Sequence, residues 1–288
     1  MKLKTYATAF LVLILSACSS DDSIDSNDNN GGETNNNGSQ QTEITGDFFP
    51  LTQDNEWNYN VVNTDNDTTD ETESTDVLKV ESVLGDAYTL SVNNGGVANG
   101  TMNSILTSGE LTATDTQLTA TGSLEFPIDG VSDLSIDFTN AKFYDTTANL
   151  NSTIHNQSGT LNETIQTIPL TINYDLSSTQ LDNLETYTVN DVTYTNVTKA
   201  KIELDLEVKA TITVVIPITL SIIDNQNVLD ITAYYADGVG LIYAEADTQF
   251  EMNATTIAQL QQAGIDLSGI PTSLSVTNTQ TIDTYTVN

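Results

Sequence analysis

Apolar and polar residues alternate with a period of two over much of the chain after about residue 45. In the longest run, 201–214, aliphatic side chains occupy the even positions, and charged residues and threonine occupy the odd ones. A second clear run covers 167–176. This spacing predicts strands with one buried face and one solvated face, which is typical of an antiparallel sheet. Shorter alternating runs lie at 57–61, 134–138 and 228–235, and turn signals at Asn93–Gly96, Asn190–Asp191 and Asp237–Gly238 separate the runs.

Two interruptions of this pattern predict breaks in the sheet. Pro217 follows the longest run, and proline is expected at a sheet edge or a bulge. The alternation resumes at Ile218 and stops at a polar stretch, 224–227, which favours a turn. At most one additional helical turn is expected, over 178–184.

One segment near the C-terminal end has helical spacing. Asn253 or Thr255 would cap it, Ile257 and Leu260 share a face, and Gly264 suits its end. The sequence therefore predicts a mainly β fold: a large curved antiparallel sheet, half-barrel or barrel-like, with one short helix.

The first residues have the features of a secretion signal. Lys2 and Lys4 precede an apolar run over 7–15, which is far shorter than the roughly 20 residues that span a bilayer. The run ends in Leu15-Ser16-Ala17-Cys18, which resembles the lipobox of bacterial lipoproteins. The resemblance implies a signal peptide over 1–17 and lipid attachment at Cys18, the only cysteine of the chain.

A polar segment follows Cys18 and lacks the apolar residues needed for a folded core. We expect 18–44 to be a disordered acidic tether and 45–288 to be a single β-rich domain. The tether opens with Ser19-Ser20-Asp21-Asp22, which resembles the export signal of Bacteroidetes-type lipoproteins. That resemblance implies an outer-membrane location facing the cell exterior, and a generic acidic linker is the alternative.

Composition narrows the function classes. The chain has 40 acidic residues and seven lysines but no arginine, and Lys2 and Lys4 leave with the signal peptide. Such a surface repels nucleic acid, so we expect no nucleic-acid partner. With one cysteine and one histidine, we expect no disulfide, no metal site and no cofactor. We interpret His155 as a solvated surface residue and the acidic stretch 65–76 as a solvated hairpin loop, not a calcium site.

Two motifs near the ends of the predicted domain resemble known surface proteins. Residues 49–59, FPLTQDNEWNY, and 235–242, YADGVGLI, are similar to segments of Bacteroidetes surface lipoproteins of uncertain function. In architecture those proteins resemble half-barrel lipid carriers of the LolA/LppX type. We assign structural roles to four residues of these motifs: Trp57 and Tyr59 would anchor the first strand, and Gly238 and Gly240 would permit a tight turn.

The function expected from these observations is membrane attachment without catalysis, since no catalytic constellation is visible. The leading hypothesis is a surface lipoprotein that holds an apolar or lipid-like ligand. We expect an interior apolar cavity beside the predicted helix, with no charged residue at its centre, and Leu206 either lines it or belongs to the plain core. The alternatives are a surface interaction or adhesion module and a glycan-binding or carboxylate-based glycan-active protein, which a surface row of aromatic residues would favour.

Overall fold

The alternating runs form strands in the computed structural model, which describes residues 44–125, 135–165, 168–213, 217–262 and 271–288. The predicted signal peptide 1–17, Cys18 and the export residues lie outside these ranges, as does Gly264. The residues that face inward along the strands are mostly aliphatic or aromatic, and burial of this face is the main driving force for the fold.

Within these ranges, twelve antiparallel strands form one sheet that is nearly closed into a barrel, and the large antiparallel sheet is as the sequence predicted. The sheet has the order β6-β5-β4-β3-β2-β1-β12-β11-β10-β9-β8-β7. The strands are β1 (Glu56–Asp65), β2 (Glu71–Leu84), β3 (Ala87–Val92), β4 (Glu110–Ala113), β5 (Gln117–Glu125), β6 (Ser135–Asp145), β7 (Ser152–Ile165), β8 (Ile168–Val189), β9 (Val192–Thr213), β10 (Pro217–Ala236), β11 (Gly240–Glu251) and β12 (Ser273–Thr286).

Two breaks expected from the sequence lie inside strands instead. The stretch 224–227 belongs to β10, where the register against β9 shifts three times between Ser221 and Leu229. The segment 178–184 belongs to β8, with one register shift between Gln180 and Asp182. The predictions of a turn and a helical turn were therefore wrong. A bulge accommodates extra polar residues without ending the strand, and this distinction is not visible in residue type.

Two helices are present in the described residues. The predicted one is α2 (Ala254–Gln262), whose first turn is capped by the Asn253 Oδ1 atom, and in it Leu260 is buried. The other, α1 (Thr101–Leu106), was not predicted. Its first amides donate to side chains of β12, so its N-terminus is held by residues about 177 positions away and carries no local capping signal.

The core occupies the concave side of the sheet. Alternate residues of β9 face it, and Leu204, Leu206 and Ala210 are completely buried there. At one end of the sheet an aromatic group fills the interior: Phe48, Phe49, Trp57, Tyr144 and Tyr235. In the described part of the chain, no helix has both the length and the apolar character needed to cross a membrane.

Candidate functional site

A pocket of about 320 Å³ lies beside the ends of β1, β11 and β12. We call it the mouth pocket. Its described lining is Asn63, Thr101, Thr248, Phe250, Pro271, Leu274, Val276 and Asn278. Strand register explains the grouping, because Val276 pairs with Thr248, Leu274 pairs with Phe250, and Asn278 pairs with Asn63. These residues belong to the same face of three adjacent strands, and α1 contributes Thr101 from above that face.

None of these eight side chains is charged, although the chain carries 40 acidic residues. Asn278 is fully engaged: its Nδ2 atom donates to Asn63 Oδ1 at 2.7 Å, and its Oδ1 atom accepts from the Thr101 amide at 3.0 Å. The Asn63 Nδ2 atom has no hydrogen-bond partner among the described residues, and neither do the hydroxyls of Thr101 and Thr248. The pocket therefore offers an apolar wall and a few unpaired polar groups.

A buried carboxylate fixes the loop that carries Thr101. Asp76 on β2 is completely buried and accepts hydrogen bonds from the backbone amides of Asn99 and Gly100 and from the side chains of Asn93 and Asn103. Burial alone would raise the pKa of Asp76, but these hydrogen bonds outweigh it and lower the pKa. The carboxylate therefore stays ionised and holds the loop before α1 in one position.

Gln280 on β12 also holds the first turn of α1. Its Oε1 atom accepts from the Met102 amide at 2.5 Å. Gly100 leaves room for this contact, because a Cβ atom there would lie 2.2 Å from the Gln280 side chain. Asn278 and Gln280 occupy neighbouring inward positions of β12, so one strand both lines the pocket and positions the helix at its rim.

A second, more polar groove lies on the other side of Phe250 and Leu274. It has a volume of about 490 Å³, and its lining includes Asp67, Gln226 and Glu251. Two of its acidic side chains face solvent, so this groove differs from the mouth pocket in charge. Leu206, for which the sequence left cavity lining and plain core as alternatives, lines neither of them and is completely buried.

The four residues assigned structural roles in the sequence lie together at the opposite end of β1. Trp57 Nε1 donates to the Val239 carbonyl at 2.5 Å, and the Tyr59 hydroxyl donates to the Leu241 carbonyl at 2.9 Å. Gly238 and Gly240 both have positive φ, 69° and 108°. The structure thus joins the two motifs, 182 residues apart, in one packing unit that does not touch the mouth pocket.

The interpretation of His155 as a solvated residue was wrong. The residue lies on β7, is half-buried, and its Nε2 atom is buried without a hydrogen-bond partner among the described residues. Burial lowers the pKa of His155 from its ordinary value of 6.5. The residue lines a third pocket, between β6 and β8. A register shift between Thr153 and His155 turns the imidazole inward, and no local sequence signal marks that bulge.

The acidic stretch 65–76 comprises the last residue of β1, the turn that joins β1 to β2, and the first six residues of β2. Asp65 accepts hydrogen bonds from the amides of Asp67 and Thr68, which fixes the turn, and Asp76 faces the interior. Within the ranges that the structure describes, no group of three or more histidine, cysteine or acidic residues is arranged to hold a metal ion.

Aromatic residues also cluster on the outer face of the sheet. Tyr187 near the tip of the β8–β9 hairpin stacks on Tyr234 of β10, with ring centroids 4.1 Å apart, and Tyr243 of β11 lies 5.8 Å from Tyr234. The Lys199 ammonium lies 5.1 Å from the Tyr234 ring centroid. We call these three tyrosines the tyrosine cluster. Trp57, in contrast, is completely buried and offers no surface for a ligand.

The fold and the site define a class: a single antiparallel sheet nearly closed into a barrel, with an uncharged pocket at one end. Compared with models of protein families, with curated proteins and with solved structures, the chain matches none.

Proposed function

We propose that this protein is a non-enzymatic lipoprotein, anchored through Cys18 in the outer membrane and facing the cell exterior, whose β domain binds an uncharged amphipathic ligand in the mouth pocket. The observation that carries the binding proposal is the lining itself. In a chain with 40 acidic residues, the eight described side chains of this pocket include no charge. A ligand recognised through its own charge would find no partner there.

The lining also suggests how such a ligand would be held. Phe250, Leu274 and Val276 provide apolar contact, and burying apolar ligand surface against them supplies most of the affinity. Asn63 Nδ2 donates to a carbonyl or hydroxyl oxygen, and the Thr101 hydroxyl can donate or accept. The ligand class is therefore an apolar chain or ring that carries a neutral, oxygen-containing head group. A volume of about 320 Å³ matches a small molecule or part of a lipid.

The absence of catalysis in this proposal rests on the single histidine of the chain. His155 lines the pocket between β6 and β8 and does not line the mouth pocket. A nucleophile at the mouth pocket would therefore lack the usual histidine base. The described lining also holds no carboxylate that could serve in its place.

The binding proposal is tested with two dyes and one added charge. The full chain with Cys18→Ser is secreted without a lipid anchor, so lipids do not copurify through the anchor. Binding of Nile red, which is neutral, is compared with binding of the anionic dye ANS. Val276→Asp then places a carboxylate on the half-exposed wall of the pocket. Thr281→Asp is the matched control, because it adds the same charge on the opposite face of the same strand.

We expect the parent protein to bind Nile red more tightly than ANS. We expect Val276→Asp to weaken Nile red binding at least tenfold, which corresponds to 1.4 kcal/mol, while Thr281→Asp leaves it unchanged. Equal binding in all three proteins would contradict the mouth pocket as the site. Organic extraction of the parent protein, followed by mass spectrometry, identifies any neutral lipid that it retained from the cell.

Glycan binding at the tyrosine cluster is the second candidate, because aromatic side chains on a sheet surface can stack against sugar rings. The packing of the three tyrosines leaves less free ring surface for a sugar than three exposed tyrosines would offer. Tyr234 already has Tyr187 stacked on it and Lys199 within cation–π distance, so much of its ring surface is in use. Neutral oligosaccharides that bind the parent protein, and fail to bind Tyr187→Ala, would favour this candidate. Sugar binding that survives Tyr187→Ala would exclude the cluster as its site.

A further inference from the structure

The two end strands of the sheet, β6 and β7, face each other across a junction that we call the seam. Each of the eleven other junctions of neighbouring strands is a backbone ladder, but among the described residues no ladder joins β6 to β7. Individual side chains bridge the seam instead. Gln157 Nε2 donates to the Asp137 carbonyl at 2.6 Å, the Ser178 hydroxyl donates to the Lys142 carbonyl, and the Asp145 amide donates to Gln180 Oε1 at 2.9 Å.

A third pocket lies directly behind the seam, and we call it the seam pocket. Most of its wall is apolar and comes from α1, β5, β6, β8 and β9: Ile105, Leu124, Phe138, Ala141, Phe143, Leu176 and Ile202. The space that a water molecule could occupy there is only about 10 Å³, roughly what one water needs. All seven apolar side chains are buried, so in this conformation the seam is closed over them.

His155 is the feature of this pocket that sequence and packing leave unexplained. It pairs with Ser178, one of the bridging residues, and lines the pocket with a buried Nε2 atom that has no hydrogen-bond partner in the described part of the chain. A neutral imidazole tolerates this environment at modest cost. A protonated imidazole would place a charge and an unpaired donor against apolar side chains, which is far more costly.

The charged groups around His155 do not relieve that cost. Lys142 of β6 lines the same pocket, and its positive charge would repel a protonated His155. The Asp145 carboxylate lies 2.7 Å from the Lys142 ammonium, but Asp145 does not line the pocket. Asp137 of β6 and Asp175 of β8 are not part of the pocket wall, and Asp175 accepts from Asn156. Glu203 of β9 is paired with Lys201. The described lining from α1 and β5 is uncharged.

We propose that the seam is a proton-operated gate: protonation of His155 separates β6 from the β7–β8 pair and exposes the apolar lining behind it. The bridging contacts are few and can break locally, whereas the ladders hold the other strands together. The gate goes beyond the proposed function, because it concerns a different pocket at a different junction. It would let an apolar chain enter or leave the interior in a mildly acidic environment.

The direction with pH follows from the burial of the imidazole. Because burial lowers the pKa of His155 from 6.5, the closed seam binds fewer protons than the open one. Opening is therefore favoured progressively as the pH falls below about 6.5. The contribution of protonation to opening reaches its full size below the lowered pKa of His155. Above pH 7 the gate stays closed.

The wild-type chain itself provides the first test, because its single histidine gives one unambiguous imidazole Cε1–H resonance. The resonance is followed from pH 7.5 to 4.5, together with hydrogen exchange measured by mass spectrometry and corrected for the intrinsic pH dependence. We expect peptides from β6 and β7 to exchange at least tenfold faster once His155 is protonated, while peptides from β1 and β12 keep their protection. Protonation of His155 without this local change would overturn the proposal.

Two variants make the test specific. His155→Leu removes the proton site and keeps an apolar side chain in the seam pocket, so we expect its seam peptides to stay protected at pH 5. Ser178→Ala removes one bridge and should raise exchange of β6 at both pH values. If His155→Leu opens with acid as the wild type does, His155 is not the trigger. Nile red binding at pH 7.5 separates this result from the mouth pocket, since the gate is closed there.

Discussion

The indole nitrogen of Trp57 donates a hydrogen bond to the Val239 carbonyl, and Gly240, the next residue, packs against the same indole ring. A Cβ atom at Gly240 would lie 3.1 Å from Trp57 Nε1, at a residue whose φ is 108°. Gly238, two positions earlier, also has positive φ but has open space around its Cα atom. The turn between β10 and β11 is therefore shaped by a contact with β1, a strand far away in the sequence.

We expect Gly240→Ala to destabilise the domain more than Gly238→Ala does. Both variants pay for a positive φ, about 1 to 2 kcal/mol, but only the first also presses against the Trp57 ring. Urea unfolding followed by circular dichroism measures the two losses. Equal losses would show that the ring yields without cost and that only the backbone conformation matters.

We expect Asp76→Asn to cost about 1 to 3 kcal/mol, because a neutral amide replaces the carboxylate at the centre of several hydrogen-bond donors. Since the pKa of Asp76 is lowered, its stabilising contribution is complete above the unfolded value near 3.9. It is lost as the pH falls through the lower folded pKa. Asp70→Asn, at an exposed position beside the β1–β2 turn, is the control and should change little. Thermal unfolding of all three proteins at pH 7 and pH 3 tests both statements.

The strands could be predicted from the sequence because their burial is local in pattern: every second residue of 202–210 is buried. The bulges, α1 and the inward-facing Nε2 atom of His155 could not. Each depends on a partner supplied by another strand, such as Gln280 for the first amides of α1. The mouth pocket was missed for the same reason, since Asn63, Thr248 and Val276 meet only through strand pairing.

Of the two alternatives for Leu206, the structure favours plain core, because the residue is completely buried and lines none of the three pockets. The apolar face of β9 is broad, and the sheet that carries it is nearly closed into a barrel. Pattern alone gives the width of an apolar face and not the curvature that closes over it.

We expect Cys18→Ser to abolish incorporation of labelled fatty acid and to release the protein from the membrane fraction. The reason is chemical: the thiol is the acceptor of the lipid, and the chain has no second cysteine. Metabolic labelling with palmitate, followed by membrane fractionation, measures both effects. Label that persists in the variant would contradict the anchor and, with it, the membrane part of the proposed function.

We expect replacement of Asp21 and Asp22 by alanine to reduce exposure at the cell surface while lipid attachment at Cys18 remains. The expectation rests on their position, because they follow Cys18, Ser19 and Ser20 as the acidic residues of the export signal do. Protease treatment of intact cells of a host with this export route measures the exposed fraction. Cleavage as complete as in the wild type would assign the two acidic residues to the tether alone.

We expect Leu206→Asp to unfold the domain, because Leu206 is completely buried in β9 and has no cationic partner among the described core residues. Burying an unpaired carboxylate costs several kcal/mol, which is a large share of the 5 to 15 kcal/mol that stabilises a typical domain. Thr211→Asp, on the solvated face of the same strand, should keep the far-ultraviolet circular dichroism and the urea midpoint of the parent protein. Comparison with Val276→Asp then separates core from site: that variant should keep its fold and lose Nile red. If Leu206→Asp also stays folded, water reaches the carboxylate, and the interior near β9 is not the dry core that its burial indicates.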